Sequence, residues 1–500
     1  MSSVKDFYSF LLTGLNPIYY LFLLALLSCI TSCSDQSKQA PEFVIDFDFD
    51  KIKERGYLIA LVDNSSTGLF VYKGKTMGYE YELLKMFTDS MGLGLRLEIV
   101  PNIDDAFKKL NSGIGDVIAF NMTVTKERKE RIQFTTTHTQ VRQMLVQRKP
   151  ENWRELKQHE IENNIIRNPI QLVGKQVWVR YQSSFGQRMK HLSEEVGGEI
   201  SISEDSPNVT TEDLIKKVAE GYIDYTIADE NVAMVNAAYY AILDVNTPVS
   251  FPQQIAWGVR KNADSLLLSV NQWIAAMQKT TDYYTIYDKY FKSSRSSLRR
   301  KEAEFSSLSG DKISPYDDLI KKYATELGWD WRLLAAQIYK ESKFNPVAES
   351  WMGAIGLMQV MPSTGEQYGI SKLKNPDENI FAGSQQIKWM QDIWKDAIID
   401  EQEKIKFILA SYNVGQGHVL DARRLAEKYG EPKDDWDVVS KYLIKKSLVE
   451  FYTDSVVQYG YCRGDEPVRY VEEIFTIFDN YQKLFPDKLN DATLETQMIN

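Results

Sequence analysis

The stretch Trp331–Pro362 reads WRLLAAQIYKESKFNPVAESWMGAIGLMQVMP, and its first half already fixes a local structure. Trp331, Leu334, Ala335 and Ile338 recur at helical spacing on one face, and the same inward stripe continues three residues later into Glu341. The spacing therefore predicts a helix from Trp331 that ends soon after Glu341, because Asn345 precedes Pro346 and a residue before proline is pushed out of the helical region. A carboxyl at the end of an apolar stripe is desolvated. Desolvation favours its neutral form and raises its pKa, which is what a general acid near neutral pH requires. Glu341 is the candidate catalytic residue. Most glutamates at helix ends are solvated surface groups, so position alone does not carry the assignment.

The residues that follow do. Ser350, Gly353, Ala354, Gly356, Leu357, Met358, Gln359 and Pro362 form a gapless run that resembles the signature of the lytic transglycosylases, the SLT or goose-lysozyme-like family, written ESxxNPxAxSxxGAxGLMQxMP. Two glycines three apart would let the backbone pass close to another element or to a sugar. NPDENIFAGSQQIKWM (Asn375 to Met390) resembles the family's NIxAG helix, and SYNVG (Ser411 to Gly415) its AYNAG loop, with Ser411 and Val414 in place of alanines. YGYCRGDEPVRYVEEI (Tyr459 to Ile474) resembles the end of the module in membrane-bound, F-type members. The resemblance implies that Glu341 is the acid, that Ser350, Gln359 and Met361 hold substrate groups, that Tyr412 and Asn413 line the groove, and that Tyr470 orients the acid. It covers roughly residues 313 to 490.

Ordinary glycosidases place two carboxyl groups about the scissile bond. The matched motif supplies one, and Glu349, Glu366 and Asp377 read as surface charges. The resemblance thus implies cleavage between N-acetylmuramic acid and N-acetylglucosamine of peptidoglycan with closure of a 1,6-anhydro ring. A muramidase on the same fold and a solute-binding lipoprotein with a wall-anchoring module are the alternatives; the first needs a second carboxylate and the second a missing acid.

Upstream, from about Phe47 to Phe291, short strand-like runs alternate with amphipathic segments, the pattern of α/β layers. Strands are expected at Tyr57–Val62, Leu95–Ile99, Asp116–Phe120 and Gly174–Tyr181, and helices at Glu80–Met91, Asp104–Leu110 and Glu212–Glu220. NMTVTKERKERIQF (Asn121 to Phe134), GKQVWVRYQSSFGQ (Gly174 to Gln187) and GYIDYTIADEN (Gly221 to Asn231) resemble the family 3 periplasmic solute-binding proteins, whose two lobes close on an amino acid or small peptide. That likeness implies Arg128 as the clamp on a ligand carboxylate, for which its planar fork is suited. It implies Asp229 against the ligand ammonium, and Thr123 and Ser184 as hydrogen-bonding positions. Without the likeness, Arg128 would read as one more member of the charged run Lys126–Arg131. Gln182 stands where the family often has glycine, which suggests an altered pocket.

The expected order is a lipoprotein signal peptide (1–32), a tether (33–46), the solute-binding-like domain (47–292; one lobe about 47–148 with 250–292, the other about 149–249), a serine- and charge-rich linker (293–312), the catalytic domain (313–490) and a tail (491–500). An apolar core near Leu21–Leu27 followed by ITSC resembles a lipobox, in which Cys33 is lipidated. The expected location is the periplasmic side of the outer membrane as a lipoprotein, with inner-membrane retention left open by Asp35. Loss of Cys29 and acylation of Cys33 leave Cys462 as the free thiol, so packing rather than disulfides must stabilise the fold. A net charge of −10 with no long basic run argues against nucleic acid as a partner. The four histidines show no metal-ligand spacing, so neither metal nor cofactor is expected. The expected partners are peptidoglycan glycan strands, an amino acid or muropeptide ligand at the first domain, and the membrane through the lipid anchor.

Overall fold

The computed structural model describes residues 44–486, apart from 101, 208, 293–304 and 309–311. The signal segment, Cys33, most of the tether and linker, and the tail lie outside the described residues.

The first part is a two-lobe α/β unit. One sheet contains β1 (Tyr57–Val62), β4 (Gly94–Ile99), β5 (Val117–Ile118), β6 (Gln133–Phe134) and β14 (Gly258–Val259), in the order β4-β1-β5-β14-β6. β1 runs parallel to β4 and β5, and Leu58, Ala60, Leu61 and Val62 are all fully buried. A parallel strand covered on both faces reads as such a continuous apolar run. The second sheet contains β8 (Gln143–Arg148), β9 (Gln176–Val179), β10 (Ser201–Glu204), β11 (Tyr225–Asp229) and β12 (Leu243–Pro248), in the order β10-β9-β11-β8-β12. The pair β7 (Thr139–Val141) and β13 (Gln253–Ile255) runs antiparallel between the segments that feed the two sheets. β8 therefore belongs to the second lobe, and the first crossing comes before Gln143 rather than near 148 as the sequence suggests. The expected helices at Glu80, Asp104 and Glu212 form as Tyr79–Ser90, Ile103–Asn111 and Thr211–Glu220, the last closed by a capping box between Thr210 and Asp213.

The second part is helical: α1 (Asp317–Leu327), α2 (Trp331–Ser342), α3 (Pro376–Trp394), α4 (Glu401–Val414), α5 (Gln416–Lys428), α6 (Trp436–Lys445) and α7 (Asp465–Leu484). Leu334, Ala335 and Ile338 of α2 are fully buried, as their spacing predicts. α7 packs along α2, and α3 and α4 pack side by side. Asp330 caps α2 by accepting a hydrogen bond from the Arg332 backbone.

A hairpin of the first lobe joins the two parts. β2 (Phe70–Tyr72) and β3 (Lys75–Met77) meet at a turn in which Lys73 and Gly74 both take positive φ, 49° and 77°. Such a two-residue turn matches the twist of its strands. The outer edge of β2 pairs with the linker: Lys73 N donates to Phe305 O (2.8 Å) and Ser307 N to Val71 O (2.9 Å). The turn itself rests on the helical part, where the Tyr481 hydroxyl of α7 donates to Gly74 O at 2.6 Å. A side chain at Gly74 would lie 2.5 Å from the Phe344 ring and 2.7 Å from that of Tyr339.

No helix among the described residues is long and apolar enough to cross a membrane.

Candidate active site and ligand cleft

α2 ends one residue past Glu341, because Lys343 and Phe344 both enter the left-handed region, with φ of 55° and 61°. Consecutive left-handed residues other than glycine are uncommon and cost on the order of 1–2 kcal/mol each. The chain thus turns before Pro346 demands it. Burial of Phe344 against Tyr339, with ring centroids 5.8 Å apart, holds the turn.

This turn leaves the Glu341 carboxyl where the buried Tyr470 hydroxyl of α7 donates to it. Burial pushes its pKa up from 4.5 to about 7, against the opposing pull of the Tyr470 hydrogen bond and the Lys340 charge. Among the described residues no carboxylate adds to that rise. Glu349 pairs with Lys374 at 3.6 Å, Asp377 accepts from the Tyr323 hydroxyl at 2.7 Å, and Glu366 is exposed. A carboxyl near 7 is half protonated at neutral pH and can give a proton, then take one back.

The signature loop is tied to this helix end. Ser342 Oγ donates to Leu357 O at 2.8 Å, and Tyr412 Oη of α4 donates to Met358 O at 2.9 Å. Burial and the Glu341 charge both raise the Tyr412 pKa, which keeps it a neutral donor facing the acid. Glu341, Tyr470 and Tyr412 therefore lie together.

The remaining expected residues divide. Ser350 Oγ accepts from Ala354 N at 3.0 Å, and Gln359, itself at φ 50°, donates through Nε2 to Gly356 O at 3.0 Å. Both side chains hold their own loop. Asn413 and Met361 are exposed. The segment Ser411–Val414 is the last turn of α4 rather than a loop, since Gly415 alone breaks the helix. Ser411, where the motif has alanine, is buried but satisfied: its Oγ donates to Phe407 O (2.7 Å) and accepts from Trp394 Nε1 (3.1 Å).

Two residues escaped sequence reasoning. Asn379 of α3 accepts from Met358 N and donates to Ile355 O and Leu373 O, each at 2.8 Å, and so clamps the signature loop. The crowding that demands glycine at 356 has the same source, because a Cβ there would lie 2.3 Å from Asn379 Nδ2 and 2.4 Å from Leu373 O. Asn379 stands in the quoted NIxAG block, which was its available signal. Gln337, one turn before Glu341 and fully buried, faces Tyr470. Only its place on the apolar stripe pointed to it.

In the first part, Arg128, Thr123, Ser184 and Asp229 line one cleft between the lobes, together with Asp63, Asn121, Arg180, Tyr181, Gln182 and Glu212. Within its charge run Arg128 and Arg131 are half-buried while Lys126, Glu127, Lys129 and Glu130 are exposed; Arg131 pairs with Asp104 at 2.7 Å, whereas Arg128 lines the cleft. Its Nη1 donates to Thr123 O at 2.9 Å. Burial lowers its pKa to about 10, and Asp229 opposes the fall. Burial raises Asp229 to about 7, and Arg128 with the Asn121 hydrogen bond (2.6 Å) opposes that rise. Gln182 takes φ 48°, which is why glycine suits this place. The lobes are closed on each other: Ser66 N and Oγ donate to Glu212 Oε1 at 3.0 and 2.5 Å, and Gln187 Nε2 to Glu127 at 2.6 Å.

Comparison with known proteins agrees with this division. Residues 59–293 match the bacterial extracellular solute-binding proteins, family 3, and residues 318–434 the transglycosylase SLT domain. The chain is 32% identical over 430 residues to a membrane-bound lytic murein transglycosylase F of Desulfosudis oleivorans, covering 86% of this chain and 90% of that one. It is 31% identical over 474 residues to the protein of that name from Pseudomonas fluorescens, covering 93% and 92%. Among solved structures, an ancestral arginine-binding protein bound to arginine covers 47% of this chain and 99% of its own, at 23% identity and a TM-score of 0.40.

Proposed function

The chain belongs to the membrane-bound lytic murein transglycosylase F family, and we propose that it cleaves the N-acetylmuramic acid–N-acetylglucosamine bond with formation of a 1,6-anhydro end, under the influence of a ligand held by its first domain. The observation that carries the cleavage chemistry is a desolvated carboxyl, Glu341, that accepts a hydrogen bond from a buried tyrosine and whose raised pKa owes nothing to a second carboxylate among the described residues. Protonated Glu341 gives its proton to the glycosidic oxygen as the bond to C1 breaks. The substrate's own N-acetyl oxygen covers the electron-poor C1. Glu341, now a carboxylate steadied by Tyr470, takes the proton of the muramyl C6 hydroxyl, and that oxygen closes on C1. The attack is intramolecular, which replaces the cost of recruiting water. No second carboxylate is required.

Arg128 and Asp229 favour a zwitterionic ligand, an amino acid or a cell-wall peptide, in the cleft between lobes. The contact of the β2–β3 turn with Tyr481, Tyr339 and Phe344 offers a path from that lobe to the turn that follows Glu341. Coupling requires that ligand bind the two states of the clamp unequally. Lipidation at Cys33 would keep the enzyme at the cell envelope, within reach of the wall.

Digestion of purified sacculi by the soluble chain, beside Glu341→Gln, tests the cleavage reading. Muropeptides with the mass of anhydro ends, lost in the variant, are expected; reducing ends would indicate a hydrolase instead. Turnover that is unchanged by saturating amino acid and wall-peptide ligands would refute the coupling.

A further inference from the structure

The loop that carries the family signature folds back on itself as a small antiparallel excursion. Glu349 bridges Ile355 and Ile355 bridges Val360; Ser350 N donates to Ala354 O at 2.9 Å, and Gly353 N to Ser350 O at 2.9 Å. The tip of this excursion is Trp351-Met352. Trp351 is 93% exposed and Met352 59% exposed, with Val347 also 59% exposed at the foot of the loop. Among the described residues the indole has no hydrogen bond and no ring partner.

A single exposed apolar side chain is ordinary, but a bare indole beside a bare methionine, on a loop rigidly braced from below, is a contact surface awaiting a partner. The bracing is continuous with the site. Leu357 O receives the Ser342 hydroxyl next to Glu341, Met358 O receives Tyr412, and Asn379 clamps both ends of the segment. The chain from Leu357 back to Ala354, bonded to Ser350, and on to Trp351 spans no more than roughly 18 Å. A short run of pyranose rings bridges that distance. On the transglycosylase reading, a glycan strand is the polymer that comes within reach of this loop when its bond is at Glu341, and the axial C–H faces of its sugars are the apolar complement of an indole.

We propose that Trp351, flanked by Met352, is a sugar-stacking platform that binds the glycan strand away from the cleaved bond. The inference rests on the transglycosylase reading. It adds a binding residue outside the acid's own surroundings, one that acts on strand capture and not on chemistry. An aromatic contact of this kind corresponds to about three- to tenfold in affinity.

The test uses the soluble chain with Trp351→Ala and Trp351→Phe. Because the side chain is almost fully exposed, both variants should fold as the parent does. On sacculi, Trp351→Ala is expected to raise KM about three- to tenfold while leaving kcat within twofold, and Trp351→Phe to recover most of the loss. In the Glu341→Gln background, which cannot turn over, chitin oligosaccharides of increasing length should bind more weakly to the Trp351→Ala chain once they are long enough to reach it, and equally when short. An unchanged KM together with unchanged oligosaccharide binding would overturn the proposal. So would unaltered glycan binding with a loss of binding to anionic phospholipid vesicles, which would make the tip a membrane contact. If the parent released no products from sacculi, the transglycosylase reading would fail, whereas the oligosaccharide comparison would still decide the role of Trp351.

Discussion

Replacing Tyr470 by phenylalanine removes one hydroxyl and leaves the ring to fill its buried site on α7. That hydroxyl donates to the Glu341 carboxyl, so its loss withdraws a hydrogen bond that favours the charged form. Hydrogen bonds to charged groups contribute about 1.5–3 kcal/mol, and 1.36 kcal/mol corresponds to one pH unit, so the Glu341 pKa should climb by about one to two units above its present value near 7. The first step needs protonated Glu341, and activity falls as pH rises through its pKa. In Tyr470→Phe the alkaline limb of the pH–rate profile should therefore move to higher pH by that amount. At pH 6, where the acid is already protonated, the rate should still fall by about tenfold, because the carboxylate that accepts the C6 proton has lost its orienting partner. Initial rates of muropeptide release across pH 5 to 10 provide the measurement. An alkaline limb that stays in place, or moves to lower pH, would refute the assignment of Tyr470 as the donor that stabilises the Glu341 anion.

Three further outcomes follow from the same geometry. Glu341→Gln should be more stable than the parent at alkaline pH: a carboxyl raised from 4.5 to about 7 favours folding below 4.5, and that advantage is lost as pH rises through 7, a difference of about 3 kcal/mol. Thermal midpoints of the two chains should coincide at pH 4, diverge between pH 4.5 and about 7 and stay apart above that, and a gap independent of pH would contradict the burial of Glu341. Gly74→Ala places a methyl group within 2.5 Å of the Phe344 ring at a backbone φ of 77°, so the hairpin should lift from the catalytic part at a cost of about 2–3 kcal/mol. Faster hydrogen exchange at Ser342–Phe344 would report it, and unchanged protection would show that the contact is incidental. Gln182→Gly relieves a left-handed backbone at φ 48° and should leave stability unchanged or raise it by up to about 1 kcal/mol, read as a shift in denaturant midpoint. A clear loss would mean that the Gln182 side chain makes contacts that outweigh the strain.

The helix of Glu341 was legible because Leu334, Ala335 and Ile338 are buried by a helical period, and the acid continues that period to the wall of the site. The signature residues were legible as a set, but not their division of labour. Ser350 and Gln359 spend their hydrogen bonds on the loop itself, and no spacing rule distinguishes a side chain that holds a loop from one that holds a sugar. The left-handed pair Lys343–Phe344 was hidden for a different reason. Its strain is held by packing against Tyr339 and a hairpin far away in sequence, so nothing local announces it. β8 was placed in the wrong lobe because QMLVQR is a buried strand that would suit either sheet; only its antiparallel pairing with β11 and β12 decides. Arg128 shows the reverse case, where a family pattern picked out, from a charged run that composition would have assigned to solvent, the half-buried cation that lines the cleft.

The most direct test of the central claim, a single carboxyl that closes the C6 oxygen onto C1, is digestion of sacculi in water enriched in oxygen-18, followed by mass analysis of the released strands. The account predicts anhydro-muramyl ends that carry no heavy oxygen, formed by the parent and not by Glu341→Gln. Reducing ends bearing one heavy oxygen would show that water attacks C1, and would contradict it.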